Sequence, residues 1–503
     1  MIAQLHLGVA LDGYGWHPQA WRATLASDPG TPSVLSGRHW AELATTAERG
    51  LLDFLTIDDT LMPQIGRSSR IHPDRLAGRA DAVLVAARIA PATQHIGLIP
   101  VAMVTHTEPF HVSKSIATLD YVSHGRAGWQ PRVSVTTHEA ALFGRRDGSR
   151  IPLFDEAVEY VDVVRRLWDS WEDDAIIRDV ATGRYVDSGK LHYIDFAGKY
   201  FSVKGPSITP RPPQGQPVVA ALAHVSSAYE FAAAGADVVF VTPGDGAAVR
   251  SILDEVRAAG GGHLKVFADV VVSFNRDADF RSDALVFGGG VTELVDLLLE
   301  WQRLGIDGAR LRPAVNAADL PVIVDEVVPL LQRAGRFRTG YQNGESLRAR
   351  LGLPVALNRY VAVNRRPGSR SRSWTWRRSA SAATPRRPCA TPSSWRSTPN
   401  SGAIAGTGSP STTSSRWPAR HRPCLSAKSP PLPTGFAWGP VPSSSAIPRP
   451  PRSSKVSACS TRSIPVASTS AWAGPRSGGS PNPKNRARQG LNRRANGAKS
   501  TAW

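Results

Sequence analysis

Short apolar runs alternate with segments of helical period from residue 5 to residue 335. LHLGVAL (5–11) alternates like a strand. HWAELATTAERG (39–50) predicts a helix stopped by Gly50, directly before LLDFLTIDD (51–59), a strand ending in two carboxylates. A helix around 79–90 leads to the strand HIGLIPVAMV (95–104). PFHVSKSIATLDYVS (109–123) is helical, with Pro109 in its first turn, and GRAGWQPRVSV (125–135) follows as a fourth strand that Pro131 interrupts.

LFDEAVEYVDVVRRLWDSW (153–171) is the clearest helix. Phe154, Val158, Val161, Val164 or Arg165, and Trp168 fall on one stripe, and Trp168 and Trp171 read as core. The polar stretch 172–216 looks like an excursion with short strands of its own. PVVAALAHV (217–225), ADVVFVTP (236–243), LKVFADVVVSF (264–274) and IDGARLRP (306–313) then read as strands five to eight. Helices over 225–235, 246–260, 291–305 and 319–335 separate and follow them. Eight strands alternating with helices predict an α/β fold, most simply a (β/α)₈ TIM barrel with insertions. A doubly wound open sheet is the structural alternative. No GxGxxG follows the first strand, which disfavours its dinucleotide-binding form.

A barrel places chemistry at the C-terminal ends of its strands. Position alone then nominates His17 after strand one, and Asp58 and Asp59 ending strand two. It adds Val101, Met103, Thr105 and His106 at strand three, and Gln130, Arg132 and Ser134 alternating on strand four. His224, Ser226 and Ser227 end strand five; Gly244, Asp245 and Gly246 end strand six; Arg310 and Arg312 end strand eight.

Charge divides the 503 residues unevenly. The chain holds 60 Lys plus Arg against 41 Asp plus Glu, yet residues 361–503 carry 24 of the basic residues and no acid. The remainder is net −5, so the overall +19 describes a tail and a basic globular enzyme is excluded. Those 143 residues also hold 20 of the 40 Pro, all three Cys and 12 Leu, Ile, Val and Phe together, too few for a core. Cys389, Cys424 and Cys459 lack metal-ligand spacing, and residues 1–360 contain no Cys, which excludes a thiol nucleophile and Cys-ligated zinc there. No signal peptide or membrane span is legible, so a cytoplasmic location is the expectation.

Residues 1–360 resemble the bacterial luciferase-like flavin monooxygenases, in the branch of the nitrilotriacetate and dibenzothiophene-sulfone monooxygenases. The resemblance rests on GYGWHPQAWR (13–22), AERGLLDFLTIDD (47–59), EPFHVSKSIATLDYVSHGRAGWQ (108–130), LWDSWEDDA (167–175), RPPQGQPVV (211–219) and ADVVFVTP (236–243). It implies a barrel that binds FMN, reduced by a separate flavin reductase, and oxygenates a small organic substrate. A homodimer or higher homo-oligomer, without membrane association, accompanies that reading. It places the flavin-contacting Asp on Asp59, with Asp58 an extra carboxylate able to share a proton with it. The family's Thr on strand three falls on Val101, its Asn-Phe-Gly turn on Leu142-Phe143-Gly144, and its Tyr opening the fourth helix on Phe154. The phosphate loop Gly-x-Ser-x-x-Gly becomes Ala223-His224-Val225-Ser226-Ser227-Ala228, without either glycine, so Ser226, Ser227 and His224 would replace its contacts. Gln130 and Ser134 would line the pocket, and His17, His106 and His224 would handle protons. Arg126 reads instead as a structural partner of Asp120.

Other readings stay open. A deazaflavin could serve the same barrel, or the barrel could bind flavin without catalysis. The segment 361–503 reads as a disordered basic tail that would bind nucleic acid if genuine. It also has the composition of a GC-rich gene read out of frame. Shifting CSTRSIPVASTSAWAGP (459–475) by one base permits an LD-x-x-x-x-GR segment analogous to LDYVSHGRAG (119–128).

Overall fold

A computed structural model describes residues 4–63, 71–144, 153–274 and 278–361. The expectations for 361–503, its three cysteines included, fall outside the described residues, Val361 excepted. Eight strands form one closed parallel barrel: β1 His6–Leu11, β2 Phe54–Ile57, β3 Gly97–Met103, β4 Gly128–Arg132, β5 Val218–Leu222, β6 Val238–Val241, β7 Lys265–Val272 and β8 Gly308–Pro313. Each pairs in parallel with the next, and β8 closes on β1 with His6 opposite Gly308. Closure excludes the open-sheet alternative.

The helices that follow the strands are α1 Gly37–Arg49, α2 Ala82–Ile89, α3 Pro109–Val122, α4 Leu153–Asp169, α5 Ser226–Gly235, α6 Gly246–Ala258, α7 Val291–Leu304 and α8 Asn316–Val322. Their apolar stripes cover the outer face of the barrel in one continuous core. On α4 the buried surface is wider than a single stripe. Ala157, Tyr160, Val161, Val164 and Trp168 face the barrel, while Val163 and Leu167 pack under the excursion 172–216 with Ile194. Trp171 lies past the helix end, half-buried, with its indole N–H donated to the Ser207 carbonyl. The excursion carries two short hairpins, Ile176–Asp179 with Arg184–Val186 and Phe196–Ala197 with Ser202–Val203.

Pro131 does not interrupt β4; it sits inside the strand opposite Ala102. The carbonyls of Arg126 and Arg132 accept from Leu98 and Val104 on the β3 side, so residue 131 turns its backbone toward β5. Pairing there is limited to Gly128 and Trp129, and a missing N–H costs no ladder bond.

The lower half of the barrel is filled by Phe54, Ile99, Val218, Ala220, Val238, Phe240 and Phe267, closed from below by Leu347 and Leu351. Glycine at Gly8 and Gly308 makes room for this plug. A Cβ at Gly8 would lie 2.3 Å from the Phe54 ring, and one at Gly308 2.5 Å from Phe267. The interior is therefore packed up to about its middle, and open space remains only at the C-terminal mouth.

Arg126 is structural, but its expected partner is wrong. Its guanidinium donates to the carbonyls of Ser123, Ile96, Ala90 and Thr93 and to Thr93 Oγ1, tying β4 to the end of α2. Asp120 instead accepts from the backbone of Ala127 and Gln214 and from the Gln214 amide.

Candidate functional site at the barrel mouth

Above the apolar plug the interior turns polar. Asp269 on β7 is fully buried and receives Arg310 Nε at 2.7 Å, with Arg310 Nη2 and Arg312 Nη2 on its other oxygen. Arg310 also donates to Gln130 Oε1 at 2.8 Å and lies 3.7 Å over the Phe240 ring. Arg312 reaches Asp283 at 2.6 Å and stacks on Trp16. Burial pushes the Asp283 carboxyl up, but the hydrogen bond from His224 and the Arg312 charge outweigh it, so Asp283 stays ionised. His224 bonds Thr242 Oγ1 through Nδ1 at 2.8 Å, with Nε2 3.4 Å from Asp283.

A second chain of charges runs along the rim. Arg79 bridges Asp12 and Asp58 at 2.6 Å each, and Arg132 reaches the other Asp58 oxygen at 2.7 Å. Burial opposes the charge on Asp58, but Arg132 and Arg79 together hold its carboxyl below the usual range. Asp59 is turned away from it, accepting from the backbone N–H groups of Thr60 and Ala82, and burial raises its carboxyl. The two acids therefore share no hydrogen bond, and the proton-sharing expected of Asp58 and Asp59 is not what the geometry builds. The carboxyls that converge on one cation are Asp12 and Asp58.

Burial raises Asp12 to about 6, against the pull of Arg79. A carboxyl raised on folding contributes stability that is present below its unfolded value near 4 and is lost as pH rises through about 6. Asp12→Asn is accordingly expected to remove close to one proton from the slope of unfolding free energy between pH 4 and 6. Urea denaturation across that window measures it, and an unchanged slope contradicts the assignment. Asp120, also raised to about 6 by burial, keeps its share of the slope in both proteins.

Beside these networks lies a cavity of about 210 Å³ between the ends of β3, β4 and β5. Met62, Met103, Pro131, Val133, Val135, Phe154, Leu222, Val225, Ala228 and Phe231 supply apolar walls, and Thr60, Gln130, Arg132, Thr136 and Glu139 the polar ones. Glu139 is buried and its oxygens accept from Thr60, the Leu61 N–H, Ser134 and Thr136. Next to the cavity, α5 opens on Val225, which offers no side-chain cap, and the following Ser226 and Ser227 are exposed. That leaves first-turn N–H groups pointing outward, the arrangement that receives a phosphate. Neither Ala223 nor Ala228 has positive φ, and both methyl groups pack in the core. The missing glycines thus put no side chain across the helix entrance.

The nominated residues divide clearly. Gln130 and Phe154 line the cavity; Ser134 touches it through Glu139. Val101 is buried opposite Gln130 on the strand face that carries Met103. Ser226 and Ser227 stand at the α5 entrance, and Asp58 and Asp59 hold the rim as described. The three histidines are not brought together, and none lines the cavity. His17 accepts from the Gln19 N–H and packs on Phe280; His106, at φ 69°, stacks on Phe143; His224 belongs to the Asp283 network. Glu139, Asp269, Asp283, Arg79 and Asp12 went unnominated. Glu139 had a signal, because Thr136-Thr-His-Glu139 is a capping-box pattern. Thr136 does cap the helix Thr137–Phe143, but the Glu139 side chain turns to the cavity hydroxyls instead of the cap backbone.

Comparison with known proteins follows the same geometry. The family model described as luciferase-like monooxygenase matches residues 21–308. N-acetyl-S-(2-succino)cysteine monooxygenase of Bacillus subtilis (strain 168) is 31% identical over 450 residues, covering 71% of this chain and 98% of its own. Nitrilotriacetate monooxygenase component A of Aminobacter aminovorans is 36% identical over 289 residues, 54% of this chain and 62% of its own. A crystal structure of long-chain alkane monooxygenase superposes with a TM-score of 0.61 at 24% identity, covering 70% of this chain and 96% of its own, a likeness of fold.

Proposed function

The chain belongs to the luciferase-like monooxygenases, and on that premise we propose that it oxygenates a small organic substrate with O₂ and FMN, delivered reduced by a separate flavin reductase. The observation that carries the reading is the juxtaposition of an apolar cavity with an uncapped helix entrance, at the mouth of a barrel otherwise packed shut. Reduced FMN, when bound, supplies the electrons that activate oxygen. The residues present fit it. Phe154, Val225, Leu222 and Phe231 would receive an aromatic ring system, and the first turn of α5, with Ser226 and Ser227, would receive its phosphate. Gln130, oriented by Arg310, would present its amide to a polar ring edge. Asp59 would act on the flavin through the loop it braces, since its oxygens hold Thr60 and Ala82.

The apolar walls would keep bulk water from the reacting centre. His224, poised between Thr242 and Asp283, is the histidine best placed to hold a proton near the α5 entrance. His17 and His106 would serve the loops beyond it. The oxygenase is assigned to residues 1–360, and the basic segment 361–503 takes no part in this reading. The partner it requires is a flavin reductase; the homo-oligomer implied by the resemblance belongs to the same proposal.

Titration of the full chain with FMN, followed by oxygen uptake with NADH and an added flavin reductase, tests the reading. Saturable flavin binding is expected, with oxygen uptake that depends on both proteins. Absence of flavin binding would sink it, and binding without oxygen uptake would leave a non-catalytic flavin barrel.

A further inference from the structure

Arg132 reaches the cavity with half of its guanidinium committed. Nη1 donates to Asp58 Oδ1 and to the Asp59 carbonyl, both at 2.7 Å. No described residue accepts from Nε or Nη2, and the side chain is 35% exposed while lining the cavity. The Nε–Nη2 edge is the one that grips a carboxylate or sulfonate through two parallel hydrogen bonds.

The surroundings favour an anion there. Arg310 and Arg312 spend their charges on Asp269 and Asp283, inside the barrel. Glu139 faces the same cavity, but four donors absorb its charge, and Asp59 points its carboxylate at backbone N–H groups. Arg132 is also held in place before any ligand arrives. Asp58, which fixes Nη1, is itself fixed by Arg79, and Arg79 by Asp12. A guanidinium so constrained loses little freedom on binding. Opposite it stand Met103, Val133, Val135, Phe154, Leu222 and Phe231.

We propose that Arg132 is the specificity-determining residue of this cavity and that the substrate is an organic anion, an apolar body bearing a carboxylate or sulfonate held on the Nε–Nη2 edge. The proposal rests on the oxygenase reading only in calling the ligand a substrate.

Calorimetric titration of the full chain with hexanoate, hexane-1-sulfonate and hexan-1-ol tests it without any mutation. Both anions are expected to bind at least tenfold more tightly than the alcohol. Arg132→Gln is expected to erase that preference, and Arg132→Lys to restore part of it, since an ammonium keeps the charge but loses the fork. Equal binding of hexanol by the wild type, no anion binding at millimolar concentration, or unchanged hexanoate affinity in Arg132→Gln would each overturn the proposal. Parallel titrations with FMN and riboflavin separate the two sources of an anion. Weakened FMN binding with unchanged riboflavin binding in Arg132→Gln would assign the arginine to the flavin phosphate and overturn it too. A wild-type anion preference in a chain that binds no FMN would uphold the anion site while the oxygenase reading fell.

Discussion

Asp269→Ala is expected to lower the unfolding free energy by about 3–5 kcal/mol, because it leaves buried guanidinium charge uncompensated. Asp269 is fully buried and is the carboxylate shared by Arg310 and Arg312. Without it Arg310 would keep Gln130, a long contact to Thr56 and the Phe240 ring, none of which carries a full negative charge. Arg312 would keep Asp283. The exposed pair Arg38–Glu42 on α1 is the internal control, since solvent screens it and its loss should cost under about 1 kcal/mol. Equilibrium denaturation of both variants decides the matter. A loss for Asp269→Ala no larger than for Glu42→Ala would mean that the interior pairs are hydrated and do not hold the mouth together.

The second large effect concerns binding. Val225→Trp is expected to weaken FMN affinity at least tenfold, roughly 1.4 kcal/mol, while changing stability by less than about 1 kcal/mol. Residue 225 lines the cavity, precedes the first turn of α5 and is 41% exposed in extended conformation, so an indole is accommodated by the backbone. Its ring would occupy the space assigned to the flavin and crowd the adjacent N–H groups. Quenching of flavin fluorescence on titration reads the affinity, and circular dichroism checks the fold. Unchanged FMN binding would move the flavin out of this cavity and remove the main support for the proposed site.

The positional reading located the mouth but misjudged several roles there. Asp58 and Asp59 are adjacent in sequence, and adjacency suggested a shared proton. Successive residues at a strand end diverge, and here Asp58 enters the arginine network while Asp59 braces the loop toward α2. The absent glycines at 223 and 228 suggested a damaged phosphate loop, yet both alanine methyls face the core, an orientation that composition does not reveal. Glu139 was masked by its own pattern, because a capping box explains a glutamate three residues after Thr136 without any reference to a cavity.

What the chain determined by itself was the order and type of its elements. Each strand is a short apolar run and each helix an apolar stripe, and both patterns are local. They remain readable however the ends of the chain are eventually joined. The charge networks are of another kind. Gln130 and Arg310 lie 180 residues apart, Asp269 and Arg310 41, and Arg132 and Asp58 74. They meet because β8 closes on β1 and brings the inward positions of distant strands to one height above the Phe54 and Phe267 plug. Which carboxylate neutralises which arginine, and hence which edge of Arg132 remains open to the cavity, was decided by that closure alone.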